Sequence, residues 1–130
     1  MKSKKKEEKD FQQVTNEYAH GAIETLREML DEAEKSGDDS RIQEDPLSVQ
    51  VRSDWYQPGD SDAAKPTEYE LLLGTGGPAS RIVGDLDSYG QPTSARFEYQ
   101  DWGTPWTKAE TTSEEDDTML EYARHFWFGD

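Results

Sequence analysis

The sequence predicts an α+β fold: an antiparallel sheet of about four strands, with an N-terminal and a C-terminal helix packed on one face. Three observations lead there. Residues 11–36 repeat apolar side chains at helical spacing. From residue 47 the period drops to two and continues in short runs parted by turn formers. A capped helical pattern returns at Thr112. The order helix, four strands, helix reads as an antiparallel sheet with the helices packed on one face.

The first helix rests on Ala19, Ile23, Leu26, Leu30 and Ala33, at spacings of four, three, four and three. That is one apolar stripe, widened by Val14, Tyr18 and Ala22, and Gly37 stands where a C-cap glycine belongs. A polar, acidic link runs from Asp38 to Asp45, with room for one further helical turn. Leu47, Val49 and Val51 then alternate with Ser48, Gln50 and Arg52, as in a half-buried strand. The turn-rich loop 54–66 leads to a second strand over 68–74, with Tyr69, Leu71 and Leu73 on one face and Leu72 on the other. Residues 80–87 read as a third strand and 94–102 as a fourth, the latter with Ala95, Phe97 and Tyr99 on one side. Thr112 and Glu115 fit a capping box, and Met119, Leu120, Ala123, Phe126 and Trp127 supply the apolar face of the last helix, which Gly129 ends.

The 130 residues suit one domain over 11–130, preceded by a flexible basic tail over 1–10. No apolar run follows that basic start, so it does not read as a signal peptide, and none reaches the roughly 18 residues that span a bilayer. With no cysteine, thiol nucleophiles, disulfides and Cys-ligated zinc are excluded.

Charge is the strongest compositional signal. The formal net charge is −15, and residues 11–130 carry 26 acidic against 9 basic side chains. Such a body repels nucleic acid and anionic membranes and attracts basic surfaces; the competing reading is solubility alone. The 14 aromatic residues argue against disorder.

One stretch invites a nucleotide. Gly74-Thr75-Gly76-Gly77-Pro78-Ala79 follows three leucines and matches G-x-G-x-x-A. Only residues 80–86 separate it from the next turn, and as a helix they would span about 10 Å, too short for a crossover. The stretch therefore reads as a hairpin loop, and no cofactor is called for.

Other constellations are thin. Glu17-x-x-His20 with Glu24 has the spacing of a di-iron helix but lacks the second copy and further Glu-bearing helices. Asp85 and Asp87 would project to one side of a strand, yet a turn follows at once and Asp is a common turn residue. A metal-dependent hydrolase built on Asp85, Asp87 and His20 lacks ligand spacing, and the chain does not read as an enzyme. His125 sits where a cation complements a helix end.

The aromatic–acidic segments are the better candidates: Asp54 and Trp55 in "RSDWY", and Asp101, Trp102 and Trp106 in "YQDWGTPW"; Asp85 and Asp87 join them as candidate partner-binding acids. Trp102 and Trp106 either cover an open end of the core or anchor a partner, and acids beside exposed aromatics suit a basic partner protein.

"PLSVQVRSDWYQPGD", "EYELLLGTGGPASRIVGDLD", "ARFEYQDWGTPW" and "FWFGD" resemble an uncharacterised group of small acidic proteins encoded in phages and prophages. The resemblance covers roughly residues 42–130 and carries no activity or assigned site residues. It implies an accessory protein in the cytoplasm of a bacterial host. By analogy, the expected function is inhibition of a host nucleic-acid-binding defence protein, of the anti-CRISPR or anti-restriction type, through nucleic-acid mimicry. The alternative is a phage structural or assembly protein that dimerises through its aromatic loops.

Overall fold

The computed structural model describes residues 10–129; residues 1–9 of the expected basic tail lie outside them. Helix α1 spans Phe11–Ser36, capped by the Asp10 side chain, which accepts from the Gln13 N–H, and closed by Gly37 at φ 74°. The short helix α2 (Ser40–Glu44) fills the acidic link and buries Ile42. Five strands follow: β1 (Ser48–Arg52), β2 (Glu68–Gly74), β3 (Ala79–Asp85), β4 (Arg96–Gln100) and β5 (Thr107–Lys108), with one 3-10 turn at Ser61–Ala63. Helix α3 (Ser113–Ala123) closes the order and carries the complete Thr112–Glu115 capping box.

The sheet order is β1-β2-β3-β4-β5, antiparallel throughout. The fifth strand is an addition to the four expected. It has two residues, too few to leave a period-two signature. The contact of His20 with Glu115 and the ion pair of Arg27 with Glu121 place α1 and α3 side by side in the same direction. Both helices belong to one core with Tyr69, Leu71, Ile82, Phe97 and Tyr99, so they cover one face of the sheet.

Direct cross-strand partners share a face, and one rung shows where the cover stops. Val49 pairs with Leu71, Leu71 with Ile82, and Ile82 with Phe97. The last three are fully buried, whereas Val49 is 41 % exposed, Val51 is 43 % exposed and Leu47 is 59 % exposed. The expected half-buried strand is therefore corrected. β1 has the right alternation, but its apolar side lies beyond the helices, which pack toward β4 and β5.

The C-terminal helix needs a second correction. It ends at Ala123, and Trp127, expected on its apolar face, points to solvent. Once the chain leaves the helix the 3.6-residue period no longer applies. Phe128 turns inward instead and stacks on Tyr69 with ring centroids 4.9 Å apart.

Candidate binding surfaces

The seven predicted site residues do not form one patch. Because the strands alternate in direction, the connections fall at two ends of the sheet. The β2–β3 turn and the β4–β5 connection share one end, here the hairpin end. The β1–β2 loop, the β3–β4 loop and the C-terminal segment share the other, the loop end.

Asp101 and Trp102 lie at the hairpin end. The Asp101 carboxylate accepts the Trp102 N–H at 2.8 Å, and the Thr104 hydroxyl accepts the Asp101 N–H at 2.9 Å, so Asp101 builds its own turn. Trp102 is 83 % exposed and does not cover the core. Its indole lies against Gly77: a Cβ there would stand 2.1 Å from its Nε1. The glycine-rich stretch is indeed the hairpin turn between β2 and β3, with Gly76 at φ 104°. Gly77 leaves room for an aromatic ring; no helix begins there to receive a phosphate.

Trp106 takes a third position, on the sheet face away from the helices, where the Arg81 guanidinium sits 4.1 Å from its ring centroid.

Asp54, Trp55, Asp85 and Asp87 belong to the loop end. Trp55 is wholly exposed, as are Tyr56 next to it in the β1–β2 loop and Tyr89 in the β3–β4 loop. The Asp87 carboxylate accepts the N–H groups of Tyr89 (2.8 Å) and Gln91 (2.9 Å), which is the turn role its residue type favours. Ser94 contacts both the Asp85 N–H and its carboxylate. Sequence reasoning placed Trp127 in the core and passed over Tyr89; the signal available was an aromatic at the tip of "DSYGQP". His20 stands away from these acids, on the α1–α3 seam, with Nδ1 2.5 Å from Glu115. His125 lies past the end of α3 and pairs with Asp39 at 3.2 Å.

The open sheet face holds a network that the sequence did not announce. One rung runs Ser48, Leu72, Arg81, Glu98, Lys108; the next runs Gln50, Glu70, Val83, Arg96. Arg81 reaches Glu70 at 2.6 Å and Glu98 at 2.7 Å, Arg96 also reaches Glu98, and Arg52 reaches Glu68 at 2.9 Å. The hydrogen bond from Arg52 holds Glu68 below its ordinary pKa. A depression of about 150 Å³ lies among these side chains, and Val83 stays buried although no helix covers it. All three arginines are engaged within the face. Across the five strands, Glu68, Glu70, Asp85 and Glu98 balance Arg52, Arg81, Arg96 and Lys108.

The helices are different. α1 and α3 together carry eleven carboxylates against Arg27 and Lys35. Some are used within the fold. Burial pushes Glu115 up, but the Thr112 N–H and His20 outweigh it and hold it below its usual range. Others point outward: Glu24, Glu28, Glu34, Glu114 and Asp117 are exposed and pair with no cation among the described residues. Asp39, just past α1, is held low by hydrogen bonds from Gln43 and His125. No helix among the described residues is long and apolar enough to cross a membrane.

This arrangement offers two kinds of contact: carboxylates spread along a helical layer, and exposed aromatics set among acids at the loop end. No protein-family model matches the chain, and no curated protein or solved structure matches it either.

Proposed function

We propose that this protein is a non-enzymatic, phage-encoded binding protein that inhibits a nucleic-acid-binding defence protein of a bacterial host. The helical layer occupies the basic surface on which that protein would hold nucleic acid. One observation carries the reading: the negative charge is segregated, with eleven carboxylates on two parallel helices and a balanced set on the strands. Five of the six carboxylates of α1 lie between Glu24 and Glu34, where successive turns are about 5.4 Å apart, so a basic groove meets closely spaced charge along the second half of that helix. Such a layer concentrates a negative potential and speeds association with a cationic surface. Trp55, Tyr56 and Tyr89 supply aromatic area at one end of that contact.

The test is capture from a bacterial lysate on the immobilised protein. Nucleic-acid-binding proteins should be retained, released by raised salt, and displaced by added duplex DNA. A variant combining Glu24→Lys, Glu28→Lys, Glu114→Lys and Asp117→Lys should lose them, with its circular dichroism unchanged. Capture indifferent to salt and to these substitutions would dismiss the proposal.

A further inference from the structure

The two edges of the sheet are not equally protected. β5 has only two residues, and Gln12 from α1 donates to the Lys108 carbonyl at 2.9 Å, which occupies that edge. β1 is five residues long and pairs only with β2. Among the described residues no side chain reaches the outer backbone of 48–51. An edge strand with free N–H and C=O groups is a template for another strand, and proteins that stay monomeric blunt such edges with charge, proline or a bulge. Of these devices β1 carries only a charge at its last residue, Arg52, and Val49 and Val51 lie exposed along it.

We infer that β1 pairs antiparallel with β1 of a second copy, joining the two sheets into one of ten strands. The strand complements itself. A two-fold axis through Gln50 uses all five residues: Gln50 faces Gln50, Val49 faces Val51, and Ser48 faces Arg52. Apolar side chains meet apolar ones on the helix side, and no like charges stand opposite one another.

The charge distribution also favours a copy. Residues 46–53 contain no carboxylate in a chain of net charge −15, and Arg52 is their single charge, so a basic strand finds nothing there to neutralise. The acidic helices do not obstruct the pairing. They pack toward β4 and β5, and seven strand spacings separate β4 from its symmetry mate, about 34 Å. Charges interact over about 8 Å at physiological ionic strength. The pairing therefore brings together the two least charged edges and leaves both helical layers open.

Two measurements test this. Sedimentation equilibrium of the full chain should give twice its 14.8 kDa mass at micromolar concentration. Val49→Lys combined with Val51→Lys should raise the dissociation constant at least tenfold without altering the circular dichroism. The chain has no native cysteine, so register can be read by crosslinking. Gln50→Cys places two thiols on residues whose Cα atoms are about 5 Å apart, within disulfide reach. Arg52→Cys places them about 13 Å apart, out of reach. Under mild oxidation the first variant should form a covalent dimer and the second should not. A monomer at all concentrations would leave β1 to a strand of another protein and overturn the inference. So would a dimer indifferent to the valine substitutions, which would put the interface elsewhere, or equal crosslinking by both thiol variants.

Discussion

On α1 and α3 eleven carboxylates face two cations; on the five strands four carboxylates face four cations. Both surfaces are polar, yet their charges have different work. On the sheet, period two puts every second residue on the open face, and antiparallel register sets Arg81 against Glu98 and beside Glu70. Those side chains are only partly exposed, and they roof Val83 where no helix does. Charge there helps hold the fold. On the helices the core is secured by Ala19, Ile23, Leu26, Leu30, Met119 and Tyr122, and Glu24, Glu28 and Glu114 face water. Charge there is available for a partner.

The contrast is broken most directly at Arg81. Arg81→Met keeps an apolar stem but deprives Glu70 of its cation, leaves Glu98 with Arg96 alone and takes from Trp106 its stacking partner. Carboxylates that lose a partly buried partner keep their desolvation cost. Urea denaturation should show a loss of about 2 kcal/mol. A loss no larger than that of an ordinary surface substitution, below about 0.5 kcal/mol, would mean that the open face is no more structural than the helices.

That network also marks the limit of what could be read from the chain. α1 was legible to its last residue, because stripe, length and C-cap glycine agree locally. The capping box of α3 and the hairpin nature of 74–79 were legible for the same reason. The Arg81 cluster was not. It joins residues 70, 81, 98 and 106, which meet only once the registers of three strand pairs are fixed. The exposure of Val49 and Val51 escaped likewise. Alternation predicts which side of a strand is apolar, not whether a helix lies over it. The acids and tryptophans singled out as partner-binding candidates were distributed to two ends and one face by strand direction, which composition does not carry.

Between the two charged surfaces the buried tyrosines set the alkaline limit. Burial raises both Tyr69 and Tyr122 above the ordinary phenol range, and at Tyr122 the hydrogen bond to Asp45 at 2.7 Å adds to it. A raised folded-state pKa means that the native state keeps a proton the unfolded chain gives up. The stability is fully present below the unfolded value, about 10, and is lost as pH rises above it. Melting temperature should hold up to about pH 10 and fall progressively above it. Tyr122→Phe should lessen that slope while lowering stability at pH 7, because Asp45 loses its donor. A flat profile in the native protein would show that these rings open to solvent.

Tryptophan separates structural from available surface on a smaller scale. Trp106→Ala removes the ring over Arg81 and should cost about 1 kcal/mol, the worth of a partly shielded cation–π contact. Trp102→Ala should cost less, since that ring is mostly in water and touches Gly77 at the turn. Paired thermal melts decide the order. If Trp102→Ala destabilises more, the hairpin end is part of the core and its aromatic is not free to bind.

The smallest expected effect has the opposite sign. Glu24 and Glu28 stand one turn apart on α1, both exposed and neither paired with a described cation. Like charges at this spacing repel, and neutralising them stabilises a helix by about 0.3 kcal/mol. Glu24→Gln with Glu28→Gln should therefore leave the fold slightly more stable, with a gain that shrinks as salt screens the wild type. The same pair should weaken capture of a cationic partner, mainly through the association rate. An opposed outcome, in which stability rises and association slows, is what available charge requires. If stability falls instead, these carboxylates hold structure as Glu70 and Glu98 do, and the division between the two surfaces disappears.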